Sequence, residues 1–179
     1  MKIKLTLSVL VAFAFSASVF AAQNKVTKDT VPGINNYAHI ETTVACAGAI
    51  TPGSVAEIKK MGYASIINLR EATEPGADID AEKAAADKAG IRFVHVPFNG
   101  NKPSTEAVDQ FLKAIRTAGT EPAFIHCSGG NRAASMWFVK RALVDKWDVD
   151  RAMAEATELG FASPTLKTFA MDYVKAHQK

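Results

Sequence analysis

The sequence predicts an α/β fold, a three-layer sandwich with a mostly parallel central sheet flanked by helices. Three observations carry that expectation. Short apolar or β-branched runs alternate with helical segments from Ala38 onward, the pattern of crossover connections between parallel strands. The length of 179 residues suits one domain, and the 48% hydrophobic content supplies its core. No internal repeat or low-complexity tract interrupts the pattern. Two cysteines cannot build a disulfide-rich scaffold or a four-cysteine zinc site. A formal charge of +3 gives no electrostatic case for nucleic acid, which needs a clustered basic face.

The first residues read as a targeting segment. Lys2 and Lys4 precede the apolar run Leu5 to Phe20, and Val19-Phe20-Ala21 supplies small residues at −3 and −1 of a cleavage site. The run includes Ser16 and Ser18 and is short for a membrane span. Residues 1–21 are therefore expected to be a signal peptide. Its removal takes two lysines and no acid, and leaves 158 residues with charge +1. A short lysine-type signal predicts export, into a bacterial periplasm, with no stable membrane insertion afterwards. Residues 22–36 are polar, contain Pro32-Gly33 and read as a flexible leader. Residues 37–179 form the single folded domain.

Each element follows from local signals. Ala38 to Cys46 is extended, with several β-branched residues. Thr51 caps a helix that has Pro52 at its first position and closes at Gly62. Ala64 to Leu69 (ASIINL) is a short buried strand. Ala77 to Ala89 is an alanine-rich, acidic, solvated helix closed by Gly90. Ile91 to Val96 alternates as a strand. Ser104 or Thr105 caps a helix whose Val108, Phe111, Leu112 and Ile115 fall on one face. Ala123 to His126 is a strand. After a glycine-rich turn come helices over about Ala133–Lys146, Asp150–Leu159 and Pro164–His177, the last opened by Ser163-Pro164.

The chemistry concentrates in one run, Phe124-Ile125-His126-Cys127-Ser128-Gly129-Gly130-Asn131-Arg132-Ala133. A buried strand ends at a cysteine, and a helix starts near an arginine. Loop N–H groups of Ser128, Gly129, Gly130 and Asn131 can converge on an anion, and the helix N-terminus adds its positive dipole. Gly129 and Gly130 permit positive φ. Arg132 offers a two-pronged fork to an oxyanion. Cys127 sits in that field, which favours its thiolate as nucleophile. His126 supports the loop.

HCSGGNR together with INLRE (Ile67 to Glu71) resembles the cysteine-dependent tyrosine and dual-specificity phosphatases. The closer similarity is to the phosphatase-like domain of the beta-lactamase-hydrolase-like proteins, and it covers about Tyr37 to Phe161. It includes AGAITPGSVAEIKKMGYASIINLRE, IRFVHVPFNG and the cysteine loop with its helix. The resemblance implies a phosphatase-like sandwich with the loop at the C-terminal edge of the sheet. It also implies a phosphoester substrate attacked by Cys127. The chain departs from the main phosphatase pattern in three places. Four residues, not five, separate Cys127 from Arg132. Ala133 stands where a Ser or Thr assists the departing thiolate, with Ser135 as the candidate substitute. The loop that carries a general-acid Asp reads Asn99-Gly100-Asn101-Lys102, and Glu106 and Asp109 fall on the following helix.

A shorter loop is also the pattern of rhodanese-type sulfurtransferases, which carry a persulfide and need no acid. Three functions therefore stay open. They are a phosphatase-like hydrolase, a sulfurtransferase with a sulfur-donating substrate, and an anion-binding or redox module without turnover. Cys46 is a small buried residue or, in an oxidising compartment, a partner for Cys127. Arg70 and Glu71 line the rim or form a surface pair. His95 is structural. His39, His126 and His177 lack metal-ligand spacing, so no metal or other cofactor is expected. Trp137 and Phe138 belong to the core.

Overall fold

A computed structural model describes residues 25–41 and 43–178. The signal-peptide segment 1–21 and the first residues of the leader lie outside the described residues. Six strands form one sheet: β1 (Thr27–Val31), β2 (Ile34–Ile40), β3 (Val44–Ala47), β4 (Ser65–Asn68), β5 (Arg92–His95) and β6 (Ala123–His126). Their order is β1-β2-β3-β6-β4-β5. The pairs β3–β6, β6–β4 and β4–β5 are parallel, whereas β1–β2 and β2–β3 are antiparallel. The parallel sheet holds for the four strands joined by helices, and a meander extends it at one edge.

That meander corrects the reading of residues 22–36. Residues from Thr27 onward form a hairpin rather than a leader, with Thr27 paired to His39 and Val31 to Ile34. Pro32 and Gly33 make the two-residue turn, Pro fixing φ at the first position and Gly33 supplying φ of 77° at the second. Residues 27–30 of β1 are all exposed, so this edge strand has no apolar alternation by which to be recognised. The single extended segment expected over Ala38–Cys46 is two strands. Glu41 has φ of 42°, and the Thr43 N–H donates to the Ile40 carbonyl at 2.8 Å, which reverses the chain.

Six helices complete the layers: α1 (Val55–Lys60), α2 (Ile79–Ala89), α3 (Thr105–Ile115), α4 (Asn131–Leu143), α5 (Val149–Glu158) and α6 (Pro164–His177). A 3₁₀ turn, Pro52–Ser54, precedes α1, and the Thr51 side chain makes no cap bond there. Ser104 and Ser163 do cap α3 and α6 through their side chains. Successive strand residues face opposite cores. Ala45, Ile66 and Phe124 pack with Val55 and Ile58 of α1 and Ala86 of α2. Cys46, Ile67 and Ile125 pack with residues of α3 to α6, including Phe111, Trp137, Phe138 and Tyr173. Helix α4 is buried almost all round because α5 and α6 cover what the sheet does not. Strands β3, β4, β5 and β6 end level, with Ala47 and Asn68 both paired to His126 and His95 paired to Asn68. Four loops therefore meet at one edge, the place where open α/β sheets hold ligands.

Candidate active site

Strand β6 delivers Cys127 to that edge, and α4 starts four residues later. The turn between them closes on the sulfur, because the Gly130 N–H donates to Cys127 Sγ at 3.0 Å. Gly130 reaches this geometry with φ of 98°, a conformation that L side chains rarely adopt. Gly129 differs from expectation. It has no positive φ, and a Cβ there meets nothing within 4 Å, so the fold does not require glycine at this position. Gly48 approaches the loop from β3 so closely that an added Cβ would stand 2.9 Å from the Ser128 carbonyl oxygen.

Arg132 is the hub of the site. Its Nη1 donates to Leu69 O at 3.1 Å and Phe98 O at 2.8 Å. Glu74 receives the fork on both oxygens, Oε1 from Nη1 at 2.5 Å and Oε2 from Nη2 at 2.8 Å. Nη2 also donates to Ser128 Oγ at 2.9 Å. Burial works against the guanidinium's charge. The hydrogen bonds to Glu74 and the charges of Cys127 and Glu74 outweigh it and hold the Arg132 pKa above its ordinary value. Glu74 responds in kind. Partial burial favours its neutral form, but Arg132, the Glu71 N–H and Arg70 lower its pKa from 4.5 to about 2.

Sequence reasoning missed Glu74, since its partner Arg132 lies 58 residues away. Arg70 is not a rim residue. Its guanidinium holds the loop that presents Glu74, donating to Glu74 Oε2, Gly76 O at 3.0 Å and Pro75 O at 2.6 Å. Glu71 accepts from Asn99 Nδ2 at 2.8 Å. Glu71, Glu74, Asn99, Ser128, Arg132 and Ser163 line a cavity of about 330 Å³ at the mouth of the loop. Glu106 and Asp109 do not line it. Asp109 instead accepts from the Tyr173 hydroxyl.

Other expected site residues have different tasks. Asn131 Oδ1 accepts from the N–H groups of Ala162 at 2.8 Å and Ser163 at 2.7 Å, so this side chain secures the α5–α6 turn while the residue lines the same cavity. Ser135 Oγ donates to Arg132 O at 2.8 Å, which commits the nearest hydroxyl on α4 to the helix backbone. His126 is fully buried behind the loop, on the α1–α2 side of the sheet. Its Nε2 lies 3.2 Å from Glu82 Oε2, but neither ring nitrogen has a well-formed hydrogen bond. Glu82 itself, 1% exposed, accepts from Asn68 Nδ2 at 2.7 Å, so the acidic helix is not wholly a solvated face. His95 fits its structural reading, with Nε2 2.7 Å from Arg70 O.

Cys46 and Cys127 are both free and buried. Cys46 pairs with Ile125, two residues short of Cys127. Regular strand spacing and rise then separate the two Cα atoms by ~8 Å, too far for a disulfide without backbone movement. Burial, and then the charges of Cys127 and Glu155, push the Cys46 thiol well above its usual pKa. Cys46 is a core residue. Among the described residues, no group of three or more His, Cys, Asp or Glu could hold a metal ion. No helix among them is long and apolar enough to cross a membrane.

The chain as a whole has counterparts. A family model described as "Beta-lactamase hydrolase-like protein, phosphatase-like domain" matches residues 36–144, which include the whole cysteine loop and α4. The chain belongs to this family. The Beta-lactamase hydrolase-like protein of Xylella fastidiosa (strain Temecula1 / ATCC 700964) is 32% identical over 127 residues, 68% of this chain and 28% of that protein. The chain thus spans little more than a quarter of the length of that curated relative. The dual specificity protein phosphatase TpbA of Pseudomonas aeruginosa is 23% identical over 176 residues, 94% of this chain and 77% of TpbA. Among solved structures, P. aeruginosa TpbA superposes with a TM-score of 0.61 at 22% identity, covering 84% of this chain and 89% of that one. The core catalytic domain of the S. cerevisiae PP-IP phosphatase SIW14 gives 0.63 at 17%, covering 82% and 93%. At these identities the structural likeness is one of fold. The phosphatase-like sandwich is the architecture of this family member.

Proposed function

We propose that this phosphatase-like family member is a cysteine-dependent hydrolase of phosphoesters, with Cys127 as nucleophile. The observation that carries the reading is the Gly130 N–H directed at Cys127 Sγ beside the Arg132 fork, since both favour negative charge where the thiolate and the transferred group sit. The sulfur attacks phosphorus, a S–P bond forms, and the P–O bond to the leaving group breaks with its electron pair leaving on oxygen. Water then displaces the thiolate and releases inorganic phosphate. Throughout, Arg132 and the loop N–H groups hold the non-bridging oxygens.

The site supplies little acid for the leaving group. Glu74, with its pKa near 2, is ionised at neutral pH, and the Asn99–Lys102 stretch carries no carboxylate. Such a site suits esters whose leaving group is stable without protonation, such as aryl phosphates. The same proposal makes the substrate a phosphorylated molecule outside the cytoplasm, because the N-terminal pattern is that of an export signal.

A second reading rests on the four-residue loop and the missing acid. A thiosulfate-like donor would pass its sulfane sulfur to Cys127, its S–S bond breaking with the electron pair on sulfite. Cyanide or another thiophile would then take the sulfur from the persulfide. One comparison separates the readings. Wild type and Cys127→Ser are assayed with p-nitrophenyl phosphate, and in parallel with thiosulfate plus cyanide. The hydrolase reading expects phosphate release that Cys127→Ser abolishes. Release unchanged in that variant sinks it. Thiocyanate formation with a sulfur adduct on Cys127, without phosphate release, selects the sulfurtransferase. Turnover of neither donor leaves the loop a non-catalytic anion site.

A further inference from the structure

We infer that Asn36 is a positioning residue for Cys127, because its side-chain amide turns the Gly129–Gly130 peptide so that the Gly130 N–H points at the sulfur. The inference rests on Cys127 being the nucleophile. In a planar trans peptide, the carbonyl and the following N–H point in opposite directions. Fixing a carbonyl therefore aims an amide. Three successive carbonyls of the loop are held in this way. Ser128 O accepts from the Ala49 N–H at 2.9 Å, Gly129 O accepts from Asn36 Nδ2 at 3.2 Å, and Gly130 O accepts from the Ala134 N–H at 3.0 Å. The first and third are backbone bonds that many sequences could supply. The second depends on one side chain, and it governs the peptide whose N–H meets Cys127 Sγ.

The backbone around Asn36 is built for this reach. Asn36 has φ of 48°, a left-handed conformation in which Asn is among the best-tolerated non-glycine residues. Its neighbour Asn35 is locked on both sides, donating to Ala49 O at 3.0 Å and accepting from the Gly48 N–H at 2.7 Å. Asn36 itself is exposed, so core packing does not require it. Glycine would satisfy the φ with less strain, and only the amide explains a donor at this point. The β1–β2 hairpin thereby has a task at the site. It forms one wall of a cavity of about 710 Å³ whose other wall includes Ser128, Gly129 and Gly130, and it aims the loop's amide from that side.

The test uses the full chain in three forms: wild type, Asn36→Gly and Asn36→Asp. Iodoacetamide labelling of Cys127 at neutral pH is followed by peptide mass spectrometry, with Cys46 as the buried internal reference and thermal unfolding measured alongside. Asn36→Gly relieves the left-handed strain, so its unfolding midpoint is expected to stay or rise while Cys127 labelling slows about two- to tenfold, the range of one net hydrogen bond. Asn36→Asp replaces the donor with a charged acceptor facing a carbonyl, and it is expected to slow labelling further. Wild-type labelling rates in both variants, with unchanged midpoints, would overturn the inference. Failure of the nucleophile reading shows separately, as wild-type Cys127 labelled no faster than Cys46.

Discussion

Helix α4 carries two buried arginines, one at each end, and each is forked onto a glutamate. Arg132 holds Glu74, and Arg141 holds Glu155 with Nε at 2.7 Å and Nη2 at 3.3 Å. The chemistry of the two pairs is alike, but their surroundings differ. Glu155 has a side chain only 3% exposed, takes a further hydrogen bond from Trp137 Nε1 at 2.7 Å, and belongs to the α4–α5 contact. Arg141 is sandwiched between the rings of Trp137 and Trp147, 4.5 and 4.0 Å from their centroids. Arg132 has an open cavity in front of it, and Glu74 is 18% exposed on a loop. A closed pair rigidifies the fold, because Glu155 cannot reach water and Arg141 is tied to it and, through Nη1, to Asp145 Oδ2 at 2.9 Å. An open pair keeps an oriented cation available to an incoming anion. Access, not pairing, separates the two arginines, and under the proposed function only Arg132 can meet a substrate.

The largest effect should come from breaking the fork at the open end. Arg132→Lys keeps the charge and loses the two-pronged geometry. Cys127-dependent turnover is expected to fall ~10²–10³-fold, the scale of losing an oriented oxyanion stabiliser. The thermal midpoint should fall only modestly: Glu74 can return to water, while the carbonyls of Leu69 and Phe98 lose part of their buried donor set. Steady-state kinetics with parallel melts checks this. A large loss of stability with normal turnover per folded molecule would reverse the contrast.

At the closed end the same substitution should do the opposite. Arg141→Lys strips the bidentate bond and the ring stacking while leaving Glu155 buried and under-satisfied. The expected cost is about 2–4 kcal/mol of stability, near the range for a disrupted buried pair. Turnover per folded molecule should stay within about twofold, since the site lies at the other end of the helix. Denaturant unfolding and active-site titration by Cys127 labelling separate the two quantities.

How tightly the open end is built can be probed through its glycines. An alanine at Gly48 would put Cβ 2.9 Å from Ser128 O and 3.1 Å from Asn35 O, both backbone atoms that cannot swing aside. Gly48→Ala is expected to cost about 1–3 kcal/mol and to lower Cys127 reactivity by shifting the loop. Gly129→Ala, one residue from the centre of the same loop, meets nothing within 4 Å and has no positive φ. Its stability should stay within about 0.5 kcal/mol of wild type. Paired melts and iodoacetamide rates decide whether proximity to the site or steric room governs the outcome.

What could be read from the sequence follows the range of the interactions. The run from Phe124 to Arg132 was legible because strand end, cysteine, turn glycine and helix start are consecutive. Helix α6 was legible for the same reason, with Ser163-Pro164 signalling its start at Pro164. Glu74 and Glu82 were not legible. Each looks like a solvated carboxylate until folding brings Arg132, or Asn68 and His126, against it. Strand β1 was hidden by its own exposure, since an edge strand without a core face leaves no periodic trace. Gly129 was over-read, since its φ is not positive, and the bonds of the Asn131 side chain to Ala162 and Ser163 were not foreseen. Membership of a loop motif does not say which way a side chain points or which glycine bears the positive φ.

The smallest expected effect concerns the proton balance of the open pair. The Glu74 pKa in the folded chain is about 2, below its ordinary 4.5, so the native state holds the carboxylate more tightly deprotonated than the unfolded chain does. A group with a depressed folded pKa contributes stability that is complete above its unfolded value. That contribution is lost as pH falls from about 4.5 towards 2, because the unfolded chain then takes up the proton first. Removing the group should therefore flatten the acid limb. Glu74→Gln retains the side-chain shape and one acceptor for Arg132 but cannot ionise. The difference in unfolding midpoint between wild type and Glu74→Gln should be greatest above pH 4.5 and shrink steadily below it. Water reaches Glu74 and screens the pair, so the full difference should stay under about 1 kcal/mol. The closed pair at Glu155 offers the contrast, with Glu155→Gln expected to destabilise by more than Glu74→Gln in the same melts above pH 4.5. A wild-type acid limb that Glu74→Gln leaves unchanged would mean that Arg132 does not hold this carboxylate, and the oriented fork would lose its anchor.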